Sequence, residues 1–152
     1  MILRRTKISD VEDIYNLINS YADEGLMLAR PRSTLYECIR EFILAEEDGE
    51  FLGIGALHII WEDLAEIRAL AIKRDVRKTG IGRQVVEALL KDAKELGIKQ
   101  VFALTYQPDF FKKCGFSVIP KEELPHKVWK DCINCPKFPN CDEIAVLRNV
   151  DV

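Results

Sequence analysis

The chain has 152 residues, of which 48% are hydrophobic and 31% charged, and its net charge is −3. This composition is ordinary for a folded domain, and the negative balance argues against nucleic acid or an anionic membrane as a partner. No apolar run approaches the roughly 20 residues that span a bilayer, and the N-terminus lacks the apolar core of a secretory signal. We therefore expect a cytoplasmic protein of one domain, residues 1–152, whose five cysteines are not a disulfide framework.

The first third of the chain predicts a strand, two helices and a hairpin. Two hydroxyl residues stand three positions before a glutamate, the spacing of a capping box that opens a helix: Ser9 with Glu12, and Thr34 with Glu37. The Asp48-Gly49 turn between two apolar runs is typical of a tight hairpin. Strands are accordingly expected at 2–5, 42–46 and 51–57.

The middle of the chain predicts a βαβ unit. A strand over 64–72 is followed by Gly80 and Gly82, which precede a long helix that stops at Gly97. The next buried strand, 100–105, should be the parallel neighbour of the first. A short helix at 110–113, a strand after Gly115-Phe116 and a last strand at 143–147 complete the prediction.

A basic, glycine-rich stretch, Arg77-Lys78-Thr79-Gly80-Ile81-Gly82-Arg83, opens the long helix. A helix start has unpaired N–H groups and the positive end of the helix dipole, and glycine lets a phosphate approach the backbone. The stretch therefore suits a pyrophosphate, with a solvated basic turn as the alternative. The order of the strands disfavours a dinucleotide-binding Rossmann loop, and the missing Gly-Lys-Ser/Thr excludes a Walker loop.

Two motifs resemble those of the GNAT acetyltransferase superfamily. Arg77-x-x-Gly80-x-Gly82 resembles its coenzyme A motif, and Phe110-Phe111-Lys112-Lys113-Cys114-Gly115-Phe116 resembles its Phe-Tyr-Glu-Lys-x-Gly-Phe segment. The likeness covers residues 1–119 in the same order. It implies an α/β (α+β) GNAT fold: a central mixed, mostly antiparallel sheet with one parallel, splayed pair, flanked by helices. It also implies acetyl-CoA as the acetyl donor.

A closer resemblance is to the acetyltransferase domain of N-acetylglutamate synthases, especially their short form without an amino-acid-kinase domain. The matching stretches are 28–33, 65–72, 104–106 and 124–125. This resemblance implies acetyl transfer to the α-amine of L-glutamate, the first step of arginine biosynthesis. Another amino acid, a polyamine or a protein N-terminus as acceptor remains open, as does an acetyl-CoA sensor without turnover.

The resemblance also assigns the coenzyme site. The pantetheine arm would pair with the backbone of one strand, and the pyrophosphate would lie on the loop that follows. The implied coenzyme-binding residues are Ala69, Leu70, Ala71, Ile72, Arg77, Lys78, Thr79, Gly80, Ile81, Gly82, Arg83 and Phe111.

The catalytic candidates are one carboxylate, which would act as general base, and two side chains that could act as general acid. Glu66 matches the acidic residue of the synthases and would act as general base through water; the alternative is a surface carboxylate paired with Arg68. Many GNAT enzymes carry a tyrosine that acts as general acid at the position of Phe111, which cannot donate a proton. Tyr106 and Cys114 are therefore the candidates for this role. A thiolate leaving group, with a pKa of about 8.5, can also depart without much help.

The acceptor candidates are arginines, because a guanidinium binds a carboxylate through two hydrogen bonds. Arg30 and Arg32 lie on a loop made irregular by Pro31, and Arg68 and Thr105 complete the set. These residues favour a small acidic acceptor over a polyamine, with solvated loop charges as the alternative. Exposed sheet edges favour a homodimer.

The segment 120–142 is rich in cysteine and proline. His126, Cys132, Cys135 and Cys141 could bind zinc, whose structural sites take four sulfur and nitrogen ligands. An iron–sulfur cluster and a redox-sensing thiol pair are alternatives. Reduced structural thiols are the simplest interpretation.

Overall fold

The computed structural model describes residues 1–76, 79–125 and 143–151. Within these ranges, no helix combines the length and the apolar character needed to cross a bilayer. The helices are α1 Val11–Ala22, α2 Arg32–Glu37, α3 Ile81–Leu96 and α4 Pro108–Lys113. The strands are β1 Ile2–Arg5, β2 Phe42–Glu47, β3 Glu50–Trp61, β4 Leu64–Ile72, β5 Gln100–Thr105, β6 Ser117–Ile119 and β7 Ile144–Asn149.

The described strands form one sheet in the order β1-β2-β3-β4-β5-β7-β6. The pairs β1–β2, β2–β3, β5–β7 and β6–β7 are antiparallel. β4 and β5 are parallel, with Leu64–Glu66 paired to Gln100–Phe102, and both strands continue beyond this ladder. The predicted mixed, mostly antiparallel sheet with one parallel pair, flanked by helices, is confirmed.

Tertiary contacts divide the chain into two compact units. Unit 1 comprises Met1–His58 and Ile67–Asp92, and unit 2 comprises Ile59–Glu66 and Ala93–Val152. β3, β4 and α3 each contribute residues to both units.

The core of unit 1 lies under α1 and α3. The apolar face of α1 packs on the first strands in one cluster, whose buried members include Ile14, Ile18, Leu35, Phe42 and Ile54. α3 packs close to the sheet at Gly55, where an added Cβ would lie 2.9 Å from the Val85 side chain and 3.1 Å from that of Leu89. Glycine is therefore required there by space.

The core of unit 2 is a smaller cluster on β4, β5 and β7. Its buried members are Leu64, Phe102, Leu124 and Ala145. α4 adds Phe111, whose ring meets the rings of Phe110 and Phe116 edge-on at centroid distances of 5.2 Å.

Two predicted chain reversals are confirmed by backbone geometry. Asp48 and Gly49 both have positive φ, 52° and 79°, which is the conformation of a type I′ hairpin turn. Gly97, with φ of 83°, ends α3, and the Ile98 N–H then donates to the Ala93 carbonyl at 2.9 Å. That bond is typical of a glycine-terminated helix.

Both predicted capping boxes are wrong. α1 follows a short 3-10 turn, Ile8–Asp10, and the Asp10 carboxylate accepts the Lys7 N–H at 2.7 Å, so the cap lies upstream of Ser9. α2 begins at Arg32, two residues before Thr34, and its N-cap residue is Pro31, which is extended (φ −72°, ψ 158°) and makes no side-chain cap bond.

Other predicted boundaries also differ from the structure, among them α4, which begins at Pro108 and not at 110, and β7, which is Ile144–Asn149 and not 143–147. The helical spacing of Leu35, Cys38, Ile39 and Phe42 in the sequence predicts a second helix that reaches residue 42, but this helix ends at Glu37, and a 3-10 turn, Ile39–Glu41, follows it. β3 extends to Trp61, beyond the predicted residue 57. Gly82 lies inside α3 as its second residue.

Candidate active site

The start of α3 follows a glycine in the left-handed conformation. Gly80 has φ of +85°, and nothing lies within 4 Å of the position where a Cβ would be added, so backbone conformation and not space requires glycine. Its carbonyl accepts the Gln84 N–H at 3.1 Å, which begins the helical ladder. The side chain of Arg83 is exposed, whereas Ile81 is buried. The described part of the β4–α3 loop (residues 73–80) thus presents an open helix start.

The Thr79 side chain bonds back to an earlier residue of the β4–α3 loop. Its Oγ donates to the Val76 carbonyl at 2.5 Å, and the Val76 N–H donates to the Lys73 carbonyl at 3.1 Å. The basic pair Arg77 and Lys78, predicted to bind phosphate, lies outside the described residues.

Ala69 interrupts β4. Its φ is +53°, a left-handed conformation that residues other than glycine rarely adopt, and its side chain packs partly buried against the α1 cluster. Such a residue turns neighbouring peptide groups away from a regular ladder. The strand backbone predicted to meet the pantetheine arm, Ala69 to Ile72, therefore begins at this irregularity.

Two of the predicted catalytic and substrate residues are buried polar groups of unit 2. In the part of the chain that the structure describes, Asp10, Glu66 and Thr105 are the buried polar or charged residues. Glu66 lies opposite Phe102 in the parallel ladder and is 9% exposed. Thr105 ends β5, and its Oγ accepts the Gln107 N–H at 2.7 Å. Burial of a carboxylate is costly, so the Glu66 position is unlike that of a surface charge.

The two predicted general acids differ in access. Tyr106 follows β5 and is half-buried. Cys114 is only 2% exposed, and its carbonyl accepts a hydrogen bond of 2.6 Å from Arg148. Tyr106 is the better placed of the two to meet a solvent-borne substrate. Phe111, predicted to contact the coenzyme, is 4% exposed among the aromatic rings of unit 2.

The predicted acceptor arginines lie in unit 1. Arg30 is half-buried, and its N–H and carbonyl bond the side-chain amide of Asn19, each at 3.2 Å. Arg32 is exposed, and its guanidinium pairs with Glu12 at 2.6 Å and stacks on the Tyr15 ring at 4.0 Å. The guanidinium of Arg32 therefore faces α1.

Arg30 and Arg68 act on a common neighbour, the half-buried thiol of Cys38. Burial and the Glu41 carboxylate raise the pKa of Cys38, while the charges of Arg30 and Arg68 oppose that rise. Both positive charges therefore act on the same thiol.

Two features of unit 1 were not predicted from the sequence. A groove of about 390 Å³ is lined by Asp13, Asn16, Leu17, Ser20, Phe51 and Lys73. Beside it, the Tyr21 hydroxyl donates to the Ile72 carbonyl at 2.5 Å, and the Arg74 guanidinium stacks on the Tyr21 ring. The helical spacing of Tyr21 indicated only burial, because periodicity carries no information about hydrogen-bond partners.

The predicted metal ligands His126, Cys132, Cys135 and Cys141 lie outside the described residues. Among the residues that are described, no group of three or more His, Cys, Asp or Glu side chains is arranged to hold a metal ion.

Comparison with protein families agrees with this geometry. Residues 10–116 match the acetyltransferase (GNAT) family. An uncharacterised N-acetyltransferase of Chlorobaculum tepidum is 40% identical over 148 residues, which cover 97% of this chain and 96% of that relative. An amino-acid acetyltransferase of Mycobacterium tuberculosis is 40% identical over 86% of this chain and 76% of its own length. One from Aeromonas salmonicida is 33% identical over 80% of this chain, but the match spans only 28% of that relative.

Solved structures give the same result. Rv2747 of Mycobacterium tuberculosis, crystallised with CoA and the ligand NLQ, has a TM-score of 0.87 and 32% identity over 99% of this chain and 100% of that one. N-acetylglutamate synthase of Neisseria gonorrhoeae, crystallised with CoA and N-acetyl-glutamate, has a TM-score of 0.90 and 27% identity over 99% of this chain and 35% of that one. The predicted resemblance to GNAT acetyltransferases, and among them to N-acetylglutamate synthases, is confirmed.

Proposed function

The chain belongs to the acetyltransferase (GNAT) family, and on that premise we propose that it transfers the acetyl group of acetyl-CoA to the α-amine of L-glutamate, as a step of arginine biosynthesis. Acyl transfer to an amino acid agrees with its amino-acid acetyltransferase relatives. The choice of glutamate goes further, and it is supported by the arginines of unit 1 and by the synthase likeness.

The start of α3 is the observation that carries the proposal. Gly80 in its left-handed conformation leads into a helix of 16 residues, and the first N–H groups of such a helix have no partners within it. A pyrophosphate placed there accepts several hydrogen bonds and lies at the positive end of the helix dipole. Arg83, together with Arg77 and Lys78, supplies the cations that offset its charge.

The pantetheine arm would lie along the last part of β4. An extended arm with two amides pairs with a strand only where backbone groups are turned away from the regular ladder. Ala69, at φ of +53°, is such a point, and Leu70 to Ile72 continue the strand from it. A backbone N–H near this bend would stabilise the oxyanion that forms when the amine attacks the thioester carbon.

Glu66 would remove the proton from the attacking amine. It is the buried carboxylate of β4, three residues before the bend at Ala69. A general base held within hydrogen-bond reach, directly or through one water, contributes on the order of 10² to 10⁴ in rate. Tyr106 would protonate the departing thiolate where help is needed, and the burial of Cys114 weighs against that residue.

Arg30 and Arg68 would hold the acceptor's carboxylates. Both of their charges act on the thiol of Cys38, and an amino acid with two carboxylates is the acceptor that two guanidinium groups favour. Arg32 is assigned to Glu12 instead. We keep Thr105 as a further acceptor contact, since its hydroxyl is buried at the end of β5.

A thiol-release assay with acetyl-CoA and a panel of amines tests the proposal. Glutamate, glutamine, aspartate, lysine, spermidine and a short peptide should be compared at equal concentration. We expect turnover with glutamate to exceed that with lysine or spermidine by at least about tenfold, which corresponds to one charged hydrogen-bonded contact. Preference for a cationic amine or the peptide would overturn the glutamate assignment. Coenzyme binding without any turnover would point to a sensor.

A further inference from the structure

One buried tyrosine connects the end of α1 to the end of β4. The Tyr21 side chain is 7% exposed in the unit 1 core, and its hydroxyl donates to the Ile72 carbonyl at 2.5 Å. Ile72 is the last residue of β4, so this carbonyl belongs to the peptide from which the β4–α3 loop departs. The other polar atom of the same peptide group is also held, because the Lys73 N–H donates to the Leu52 carbonyl at 2.9 Å. The base of the loop is thereby fixed against both α1 and β3.

Arg74 packs over the same tyrosine. Its guanidinium carbon lies 4.3 Å from the centre of the Tyr21 ring, and Nη1 donates to the Ser20 Oγ at 3.5 Å. The other end of the guanidinium pairs with the Glu24 carboxylate. An exposed ion pair alone is worth little, but here it is combined with stacking on a fixed ring.

Glu24 belongs to the α1–α2 segment (residues 23–31), and that segment is anchored to the same helix end. The N–H groups of Glu24 and Leu26 both donate to the Tyr21 carbonyl, at 3.1 Å each. Farther along, Asn19 holds both backbone groups of Arg30. The last turns of α1 therefore fix the α1–α2 segment on one side and the β4–α3 loop on the other.

We infer that Tyr21 and Arg74 are positioning residues that hold the β4–α3 loop and the α1–α2 segment in a single arrangement. This inference rests on the proposed function, which places the coenzyme's pyrophosphate on the loop and the acceptor's carboxylate on the segment. Tyr21 acts through the backbone carbonyl that it bonds, Arg74 acts through Ser20, Glu24 and the Tyr21 ring, and neither acts on the reacting atoms. Loosening either one weakens the binding of both substrates and leaves the chemical step intact.

Calorimetric titration of the full chain with CoA, and steady-state kinetics with both substrates varied, test this inference. Tyr21→Phe removes one hydrogen bond and keeps the ring, and it should raise the Kd for CoA about three- to tenfold, the value of one buried hydrogen bond. The KM for the acceptor should rise with it, while kcat at saturation stays within about twofold. Arg74→Gln should raise the Kd about two- to fivefold, and Arg74→Lys, which retains the charge facing Glu24, should restore most of the affinity.

Arg5→Gln is the matched control, because Arg5 of β1 makes an ion pair of 2.7 Å with Asp92 of α3, and neither residue belongs to either segment. It should leave the Kd for CoA unchanged. A purely structural role would lower the unfolding temperature of Tyr21→Phe without changing its Kd for CoA, and that result would overturn the inference. So would unchanged affinity in folded Arg74→Gln, which remains informative if the tyrosine variant does not fold. If the wild type acetylates no amino acid, the proposed function fails, but the CoA titrations still decide this inference.

Discussion

The guanidinium of Arg32 donates to both carboxylate oxygens of Glu12, at 2.6 Å from Nε and 3.1 Å from Nη2. Each group shifts the other: Arg32 lowers the pKa of Glu12, and Glu12 raises the pKa of Arg32. Because the pair is exposed, it adds little to stability, but it sets the direction in which Arg32 points. Of the two arginines beside Pro31, we therefore expect Arg30 to be the better acceptor contact.

We predict that replacing Arg30 impairs acceptor binding more than replacing Arg32. Arg30→Gln should raise the KM for glutamate by about tenfold or more, because a hydrogen bond to a charged group contributes about 1.5–3 kcal/mol. Arg32→Gln, the matched control, should raise it less than about threefold. Initial rates at saturating acetyl-CoA measure both values. An equal or larger rise in KM in Arg32→Gln would contradict this prediction, and it would show that the substrate displaces Glu12 from Arg32.

Replacing Glu66 should separate catalysis from coenzyme binding. Glu66→Gln keeps the shape of the side chain but cannot accept the amine's proton, so kcat should fall by about 10² to 10⁴. The Kd for CoA should remain within about twofold, since the pyrophosphate loop is untouched. Glu62→Gln, an exposed change in the turn before β4, should leave both constants unchanged. An unaltered kcat in Glu66→Gln would remove this residue from the base role.

Sequence reasoning was most accurate where one physical signal decides the outcome. β1, β4 and β5 were predicted with the observed bounds, because apolar runs bounded by turn residues specify strands. The hairpin turn and the helix stop were also correct, since the positive φ of Gly49 and Gly97 suits glycine. The capping boxes failed because the helices begin elsewhere: the N-cap positions of α1 and α2 are held by Asp10 and Pro31, and neither makes a side-chain cap bond.

The parts of the site that escaped prediction depend on tertiary contacts. Alanine has no preference for the left-handed conformation, so nothing in the sequence marks Ala69 as a bend. The residue types of Tyr21 and Arg74 are equally ordinary, and only the fold brings them to the Ile72 carbonyl and to Glu24. Motif resemblance predicted a coenzyme loop at Gly80, because the motif reflects local backbone geometry, and the left-handed φ of Gly80 agrees with the glycine found there.

Replacing Gly80 should weaken the binding of CoA. Gly80→Ala meets no steric obstacle, but its φ of +85° is strained for alanine by about 1–2 kcal/mol. Relief of that strain reshapes the helix start, so the Kd for CoA should rise about tenfold. Calorimetric titration measures it.

Gly97 provides the matched control, since it has φ of +83°, equally open surroundings and a place at the other end of α3. Gly97→Ala should lose a similar 1–2 kcal/mol of stability and keep its affinity for CoA. If the two variants weaken CoA binding equally, the helix start has no special role in holding the coenzyme.

Binding of an acidic acceptor should slow alkylation of Cys38. Arg30 and Arg68 oppose the raised pKa of this thiol, and bound carboxylates would neutralise them. The pKa would then rise further and the reactive thiolate fraction would fall. At pH 8, glutamate should slow modification about threefold, equivalent to about half a pKa unit, whereas lysine at equal ionic strength should not. Mass spectrometry of the Cys38 peptide follows the reaction, and equal rates with both amino acids would place the acceptor elsewhere.

The ionised Asp10 carboxylate should raise the free energy of unfolding, and this contribution should be lost in acid. Its carboxylate accepts two hydrogen bonds of 2.9 Å from Arg4, and these lower its pKa below the ordinary 3.8. Because the folded pKa lies below the unfolded one, the ionised group stabilises the protein above about pH 4, and this contribution disappears as the pH falls through the folded pKa. Asp10→Asn should therefore lose about 1–3 kcal/mol at pH 7, and the loss should shrink below pH 4. Urea unfolding at pH 7, 5 and 3 measures it, with Asp48→Asn in the hairpin turn as a control that suits the same turn. A loss that is constant across this range would mean that the Asp10 charge is not the source of the stability.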